Sequence, residues 1–224
     1  METRCYDTRV RAALLPLILI AFSNFAVADE PPRETIEEVL AVVGDTPILL
    51  SDSELSALVR LVDPETGESS EDYRTRLLDA RIRLEIQFRD LEDAGLLFRL
   101  DLEPERVRGL LVARGGGRDV LEVQLSSKGL GWPDLDELAL RVAAVDAYVE
   151  QRLRPRVSVT MEEIEAAYQQ LLVNEIAATD ETPPPLSTVQ KHLRDILVEQ
   201  KLNVEIESWI QRATERQEVT RFTG

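Results

Sequence analysis

The stretch STVQKHLRDILVEQKLNVEIESWIQRATER, residues 187–216, decides how the rest of the chain must be arranged. It reads as one helix of about 30 residues, roughly 45 Å long at the usual rise. Ser187 with Gln190 three residues on has the form of a capping box, and Pro183-Pro184-Pro185 just before it cannot belong to a preceding helix. At about 100° per residue, Val189, Leu193, Ile196, Leu197 and Val204 share one face. Leu202, Ile206, Trp209, Ile210 and Ala213 cluster on a face turned by more than a quarter of the circle, so the apolar stripe changes sides near Asn203. One neighbour needs one stripe. The helix is therefore expected to meet two different bodies or to bend between them, unless it is buried all round at its middle.

Upstream, Glu71 to about Ala94 predicts a second helix with two apolar faces. Tyr73, Leu77, Ala80, Leu84, Phe88 and Leu91 form one stripe, and Leu78, Ile82 and Ile86 form another on nearly the opposite side. A helix of this kind is sandwiched between neighbours and belongs at the centre of a core. Before it, Val39 to Val43 and Ile48 to Leu50 flank Gly44-Asp45 and predict a β-hairpin, which needs a third strand or a helix to cover it. Glu218 to Phe222 is the expected third strand, which would bring the two ends of the folded region together. Ser51 with Glu54 predicts the cap of a short helix carrying Leu55, Leu58, Val59 and Val62.

Between these elements Pro104 opens a helix that Gly115-Gly116-Gly117 closes, and a short helix follows from about Asp119 to Ser127. The glycine run is not a phosphate loop, because no Gly-Lys-Ser/Thr follows it. Pro133 starts an amphipathic helix to about Leu153, and Thr160 with Glu163 caps another carrying Ile164, Ala167, Tyr168, Leu171 and Leu172. Asn174 to Leu186 is a Pro-rich linker. The fold class is mainly α, with a small β-hairpin paired by a C-terminal strand.

The first 28 residues predict a signal peptide. Arg4, Arg9 and Arg11 precede an apolar run, Ala12 to Phe25, and Ala26-Val27-Ala28 supplies the cleavage site. The run is shorter than the ~20 residues a bilayer span needs, so an exported, periplasmic protein without stable membrane insertion is expected. Residues 29–37 are a linker and 38–224 one domain. The chain of 224 residues is 30% charged and 44% hydrophobic, enough to build a core. Cleavage takes three basic and two acidic residues from totals of 26 and 42, leaving a net charge of −17. Such a surface repels phosphate backbones, which makes nucleic acid a poor partner. Cys5 lies in the signal, so the mature chain has neither disulfide nor Cys metal ligand.

Catalytic chemistry is hard to assemble from these residues. His192 is the one histidine and sits within the long helix, which leaves no Ser-His-Asp set and no His or Cys metal spacing. Asp134-Asp136-Glu137 and Glu162-Glu163-Glu165 fall in first helical turns, where they complement the macrodipole. No cofactor is implied.

Several pieces together resemble a known family. Ala41-Val42-Val43-Gly44-Asp45-Thr46-Pro47-Ile48 running into Ser51-Asp52-Ser53-Glu54-Leu55 is similar to the entry of the SurA-type N-terminal chaperone domain. So are the two-faced helix and the segment from Gly129-Leu130 to Leu135-Asp136-Glu137-Leu138. Arg154 to Tyr168 resembles the passage by which that family enters a parvulin-type peptidyl-prolyl isomerase domain, and Lys201 to Phe222 its returning helix and strand. The likeness covers about Glu38 to Phe222. It departs where the isomerase domain would stand, since a linker this short cannot hold a catalytic domain.

What the resemblance implies is ATP-independent chaperone-like binding of unfolded exported or outer-membrane proteins, without isomerase activity. Client contacts are then expected from Leu97, Phe98 and Leu100 in the apolar segment after the central helix, and from Leu130 and Trp132. The same residues also read as anchors that tuck loops onto a core. The alternative is an envelope adaptor or assembly factor serving one partner. Low aromatic content, and Met161 as the one methionine after the signal, leave little of the adaptable surface promiscuous binders use.

Overall fold

The computed structural model describes residues 37–170 and 184–222. The signal segment, Cys5, most of the 29–37 linker, Leu171, Leu172 and most of the Pro-rich linker lie outside the described residues. The described chain contains strands β1 (Val39–Val43) and β2 (Thr46–Leu49), then helices α1 (Leu50–Leu58), α2 (Ser70–Asp93), α3 (Pro104–Arg114) and α4 (Arg118–Ser127). Helices α5 (Trp132–Tyr148), α6 (Met161–Tyr168) and α7 (Leu186–Arg216) follow, and β3 (Val219–Arg221) closes the order. The fold is mainly helical with one three-stranded antiparallel sheet, β2-β1-β3. The hairpin is thus paired by the C-terminal strand, with Val42 opposite Thr220 and Val43 opposite Val219. The hairpin turn needs glycine. Gly44 has φ +60°, and a Cβ there would lie 3.1 Å from the Arg89 guanidinium.

Helix α2 is the central element. It starts where Ser69 Oγ accepts from the Asp72 N–H at 3.1 Å. Its apolar faces enter three clusters. Leu84 packs with Leu55, Leu111, Leu121 and Leu135; Phe88 and Leu91 pack with Ala144, Leu153, Leu202 and Trp209; Ile82 and Ile86 meet Ala41, Val43, Ile48 and Ala213. The two faces expected from the periodicity are both buried. So are Arg81, Glu85 and Gln87, which apolar periodicity alone does not place inside.

Those buried charges are paired. Glu85 Oε2 accepts from Arg141 Nε at 2.8 Å and from Arg81 Nη1 at 3.3 Å, and Arg81 Nη2 reaches Asp52 Oδ1 at 3.3 Å. Arg141 Nη1 also donates to Glu137 at 2.8 Å, and its guanidinium stands 5.1 Å from the Phe88 ring centroid. The chain of ions joins α1, α2 and α5. Removing one partner of such a buried network costs about 3–5 kcal/mol, because the other charge is left uncompensated.

Helix α7 meets two bodies. Its first half lies on α6: Lys201 Nζ donates to Ser158 O at 2.8 Å and pairs with Glu163 Oε1 at 2.6 Å, and the Tyr168 hydroxyl donates to Pro184 O at 2.8 Å. Its second half lies on α2: Trp209 Nε1 donates to Asp90 at 2.8 Å, and Arg83 Nη1 pairs with Glu207 at 3.2 Å.

Four local expectations are corrected. Helix α7 begins at Leu186 with Pro185 as N-cap and no side-chain cap, so Ser187 and Gln190 are its second and fifth residues and do not box its start. Helix α1 begins at Leu50, and its cap contact is the Asp52 carboxylate accepting from Leu49 N–H at 2.9 Å, not a Ser51–Glu54 box. Helix α5 ends at Tyr148, followed by a π-turn (Val149–Leu153) and a 3-10 turn (Arg154–Arg156). Pro155 has no N–H to give the Gln151 carbonyl, and its ring would clash there, so the α-helix cannot run regularly to Leu153. Val204, assigned to the apolar face of α7, is 68% exposed. The Thr160–Glu163 box forms as expected, with Thr160 N–H to Glu163 Oε2 at 2.9 Å and Glu163 N–H to Thr160 Oγ1 at 3.3 Å.

Candidate functional site

A cleft of about 580 Å³ opens between α2, α5 and the loop after α1. Its floor is apolar: Leu61 and Val62 from the loop, Ala80 and Leu84 from α2, Val142 and Val145 from α5. Arg76, Asp79, Arg83 and Asp146 add charge to its lining. The floor has a simple origin. Leu84 faces the large cluster, Val142 and Val145 pack against that same cluster only in part, and the loop side chains do not close the gap between the two helices.

The loop is latched to α2. Arg76 Nε and Nη2 donate to Glu68 at 2.5 and 2.8 Å, Arg76 Nη2 also donates to Asp63 O at 3.0 Å, and the Tyr73 hydroxyl donates to Val62 O at 3.1 Å. The bidentate Arg76 contact, helped by the Glu65 N–H, holds the Glu68 carboxyl down from 4.5 to about 2. A carboxylate depressed on folding favours the folded latch above its ordinary range, and that contribution fades as pH falls from about 4.5 toward 2. Asp146 is exposed as a residue, yet protein packed about its carboxyl pushes its pKa up; Arg106 opposes this and Glu150 adds to it.

The residues expected to touch a client fall in two places. Leu97, Phe98 and Leu100 follow α2, with Leu97–Arg99 forming a 3-10 turn. Leu100 is buried and Leu97 half-buried, both against the cluster that holds Trp209, whereas Phe98 is 96% exposed. Leu130 and Trp132 precede and open α5 and pack against the other large cluster. Trp132 is half-buried between two guanidinium groups, Arg108 at 5.0 Å and Arg118 at 4.8 Å from its ring centroid, and Arg108 also pairs with Asp136 at 2.5 Å. The structure does not gather the five into one groove, and none of them lines the α2–α5 cleft.

Sequence reasoning missed the cleft itself. Leu84, Val142 and Val145 were legible as members of apolar stripes, but a stripe does not reveal where a gap remains beside two packed helices. His192 is exposed on α7. Among the described residues no group of three or more His, Cys, Asp or Glu side chains is placed to hold a metal, and no helix is long and apolar enough to cross a membrane. No protein-family model matches the chain, and no curated protein matches it.

Proposed function

We propose that this protein is an ATP-independent, chaperone-like binding protein for unfolded exported or outer-membrane polypeptides and has no isomerase activity of its own. The observation that carries the reading is the open α2–α5 cleft, with its floor of Leu, Val and Ala and its charged lining. An apolar, preformed concavity with a few polar groups is the usual shape of a binding site. Its walls are two packed helices, and the loop wall is held by the Glu68–Arg76 latch. The likeness of residues 38–222 to the SurA-type chaperone domain supports the same reading, and the short segment after α6 supports leaving the isomerase activity out. Clients would leave through weak affinity and their own folding, without nucleotide.

The test is direct. Added to a denatured outer-membrane protein on dilution, the mature chain is expected to suppress light scattering, and Val142→Glu at the cleft floor is expected to abolish the suppression while the circular dichroism spectrum is retained. No suppression by the parent chain at several-fold excess overturns the reading. Measurable cis/trans catalysis on a proline peptide overturns the absence of isomerase activity.

A second reading, a dedicated adaptor for one envelope partner, is favoured by one observation. The cleft floor contains no methionine and no aromatic residue, so it lacks the side chains that repack around varied ligands. Recovery of one stoichiometric partner, in place of a spread of clients, decides for it.

A further inference from the structure

The sheet has two outer edges, and the chain finishes them differently. In an antiparallel ladder successive residues turn their backbone groups alternately toward one neighbour and away from it. Gly44 N–H donates to Glu218 O at 2.8 Å and Phe222 N–H to Leu40 O at 3.0 Å, so Leu40, Val42 and Gly44 bond toward β3 and Ala41 and Val43 toward β2. With Ala41 opposite Ile48 and Val43 opposite Thr46, the outward residues of β2 are Pro47 and Leu49. Neither offers a free donor: proline has no N–H, and the Leu49 N–H is taken by Asp52 at 2.9 Å. The outward residues of β3 are Val219 and Arg221, opposite Val43 and Ala41. Their amides and carbonyls have no hydrogen-bond partner among the described residues.

A second feature lies along that bare edge. Val219 and Arg221 also line a groove of about 610 Å³ whose walls are Ile82 and Ile86 of α2 and Ile210 and Thr214 of α7. Its charges are already spent on one another, Arg221 Nη1 with Asp79 at 2.5 Å and Arg83 with Glu207 at 3.2 Å. A charged guest side chain would find no free partner there, whereas an apolar one would pack on the half-buried Ile210 and Val219, Ile82 and Ile86 being already buried beneath.

We propose that the β3 edge is a strand-addition site that accepts an extended segment of another polypeptide, uncharged and apolar at alternate positions, as a fourth strand of the sheet. Backbone pairing with Val219 and Arg221 supplies sequence-independent affinity. The period of two places every other guest side chain over the groove. A second copy of this chain fits less well, because it brings a like net charge of −16 to the contact. The groove adjoins the α2–α5 cleft through Asp79 and Arg83, which line both, but its readout, exchange at the β3 amides, does not depend on whether aggregation is suppressed.

The experiment uses the whole chain, isotopically labelled, with a synthetic peptide of alternating valine and threonine flanked by lysines as probe. Addition of the peptide is expected to slow hydrogen exchange at the Val219 and Arg221 amides. Val219→Pro removes an outward donor without removing a bond to β1, and is expected to weaken the peptide about tenfold or more. Thr214→Tyr, which fills the groove from an exposed helical position, is expected to weaken it with the edge untouched. Exchange unchanged by the peptide, or affinity in both variants equal to that of the parent chain, overturns the proposal. So does protection of the two amides in the dilute free protein, which would mean that the chain covers its own edge. Protection that grows with protein concentration and accompanies a sedimenting dimer assigns the edge to a second copy and overturns it as well.

Discussion

The two halves of α7 share one backbone and differ in what holds them. From Leu202 onward the helix is fixed by the main core: Leu202, Trp209 and Ala213 are buried, the Trp209 ring packs tilted at 47° against Tyr148 with centroids 4.6 Å apart, and Asp90 binds both Trp209 Nε1 and Arg216. From Leu186 to Lys201 it rests on α6, itself eight residues long, with Leu193 as its one buried residue. The contacts here are side-chain ones: Lys201 with Glu163 and Ser158, Gln190 Nε2 with Met161 Sδ at 3.2 Å, and the Tyr168 hydroxyl with Pro184 O. A helix can thus be continuous in hydrogen bonding and discontinuous in stability. The C-terminal half belongs to the unit that carries the sheet and the clefts, and the N-terminal half is a smaller body attached to it.

The largest effect expected from this difference is at Trp209. Truncation to alanine removes a ring shared by α2, α5 and α7 and leaves the Asp90 carboxylate with Arg216 alone. Trp209→Ala is expected to cost about 3–5 kcal/mol in chemical denaturation, with all amides of the main core losing protection together. A loss confined to the last turns of α7 would break the assignment of this half to the core.

A smaller effect, different in kind, is expected at Leu193. Leu193→Ala opens a cavity where α7 lies on α6, whose buried side chains are Ile164 and Ala167. A cost of about 2–3 kcal/mol is expected. Hydrogen exchange should show it as faster opening of α6 and the first turns of α7, while the amides of α2 keep their protection. Equal losses in α2 would merge the two halves into one cooperative unit.

Much of this was legible in residues 187–216 themselves. The change of stripe near Asn203 marks the place where the partner changes, because apolar periodicity reports which side is buried even when the neighbour is unknown. The two faces of α2, the hairpin and its third strand were legible for the same reason. The caps were not. A Ser followed by Gln or Glu three residues later also occurs within a helix already begun, and only the backbone shows that Pro185 and Leu49 occupy the cap positions. The Asp52–Arg81–Glu85–Arg141 ion chain was illegible, because a pattern reading puts charges on the surface, and their burial follows from partners on three helices far apart in sequence. Of the site, the apolar residues were visible and the cleft was not: volume between helices depends on interaxial distance, which no single stripe encodes. Phe98 is the reverse case, an aromatic in an apolar run whose exposure follows from its place in the 3-10 turn.

The smallest effect sharpens the comparison most, because it separates the halves by pH. Lys201, pairing at 2.6 Å, and behind it the Thr160 N–H hold the Glu163 carboxyl below its ordinary 4.5. Folding with a depressed carboxylate pKa adds stability above the ordinary range, and this is lost as protons bind on the way down through the lowered value. Glu163 is exposed to solvent, so the gain is that of a surface pair, screened by salt and small. An NMR titration of the side-chain carboxyl is expected to place Glu163 below an unpaired glutamate. Lys201→Met should move it back only part of the way, because the Thr160 N–H remains. As pH falls, protection of the α6 amides should fade before that of α2, whose side chains are held in three core clusters. A titration unaffected by Lys201→Met would place the anchor of α6 in its Thr160 cap, and the N-terminal half of α7 would then owe its position to Leu193 and to contacts that do not involve Glu163, such as Arg154 with Glu199 at 2.6 Å.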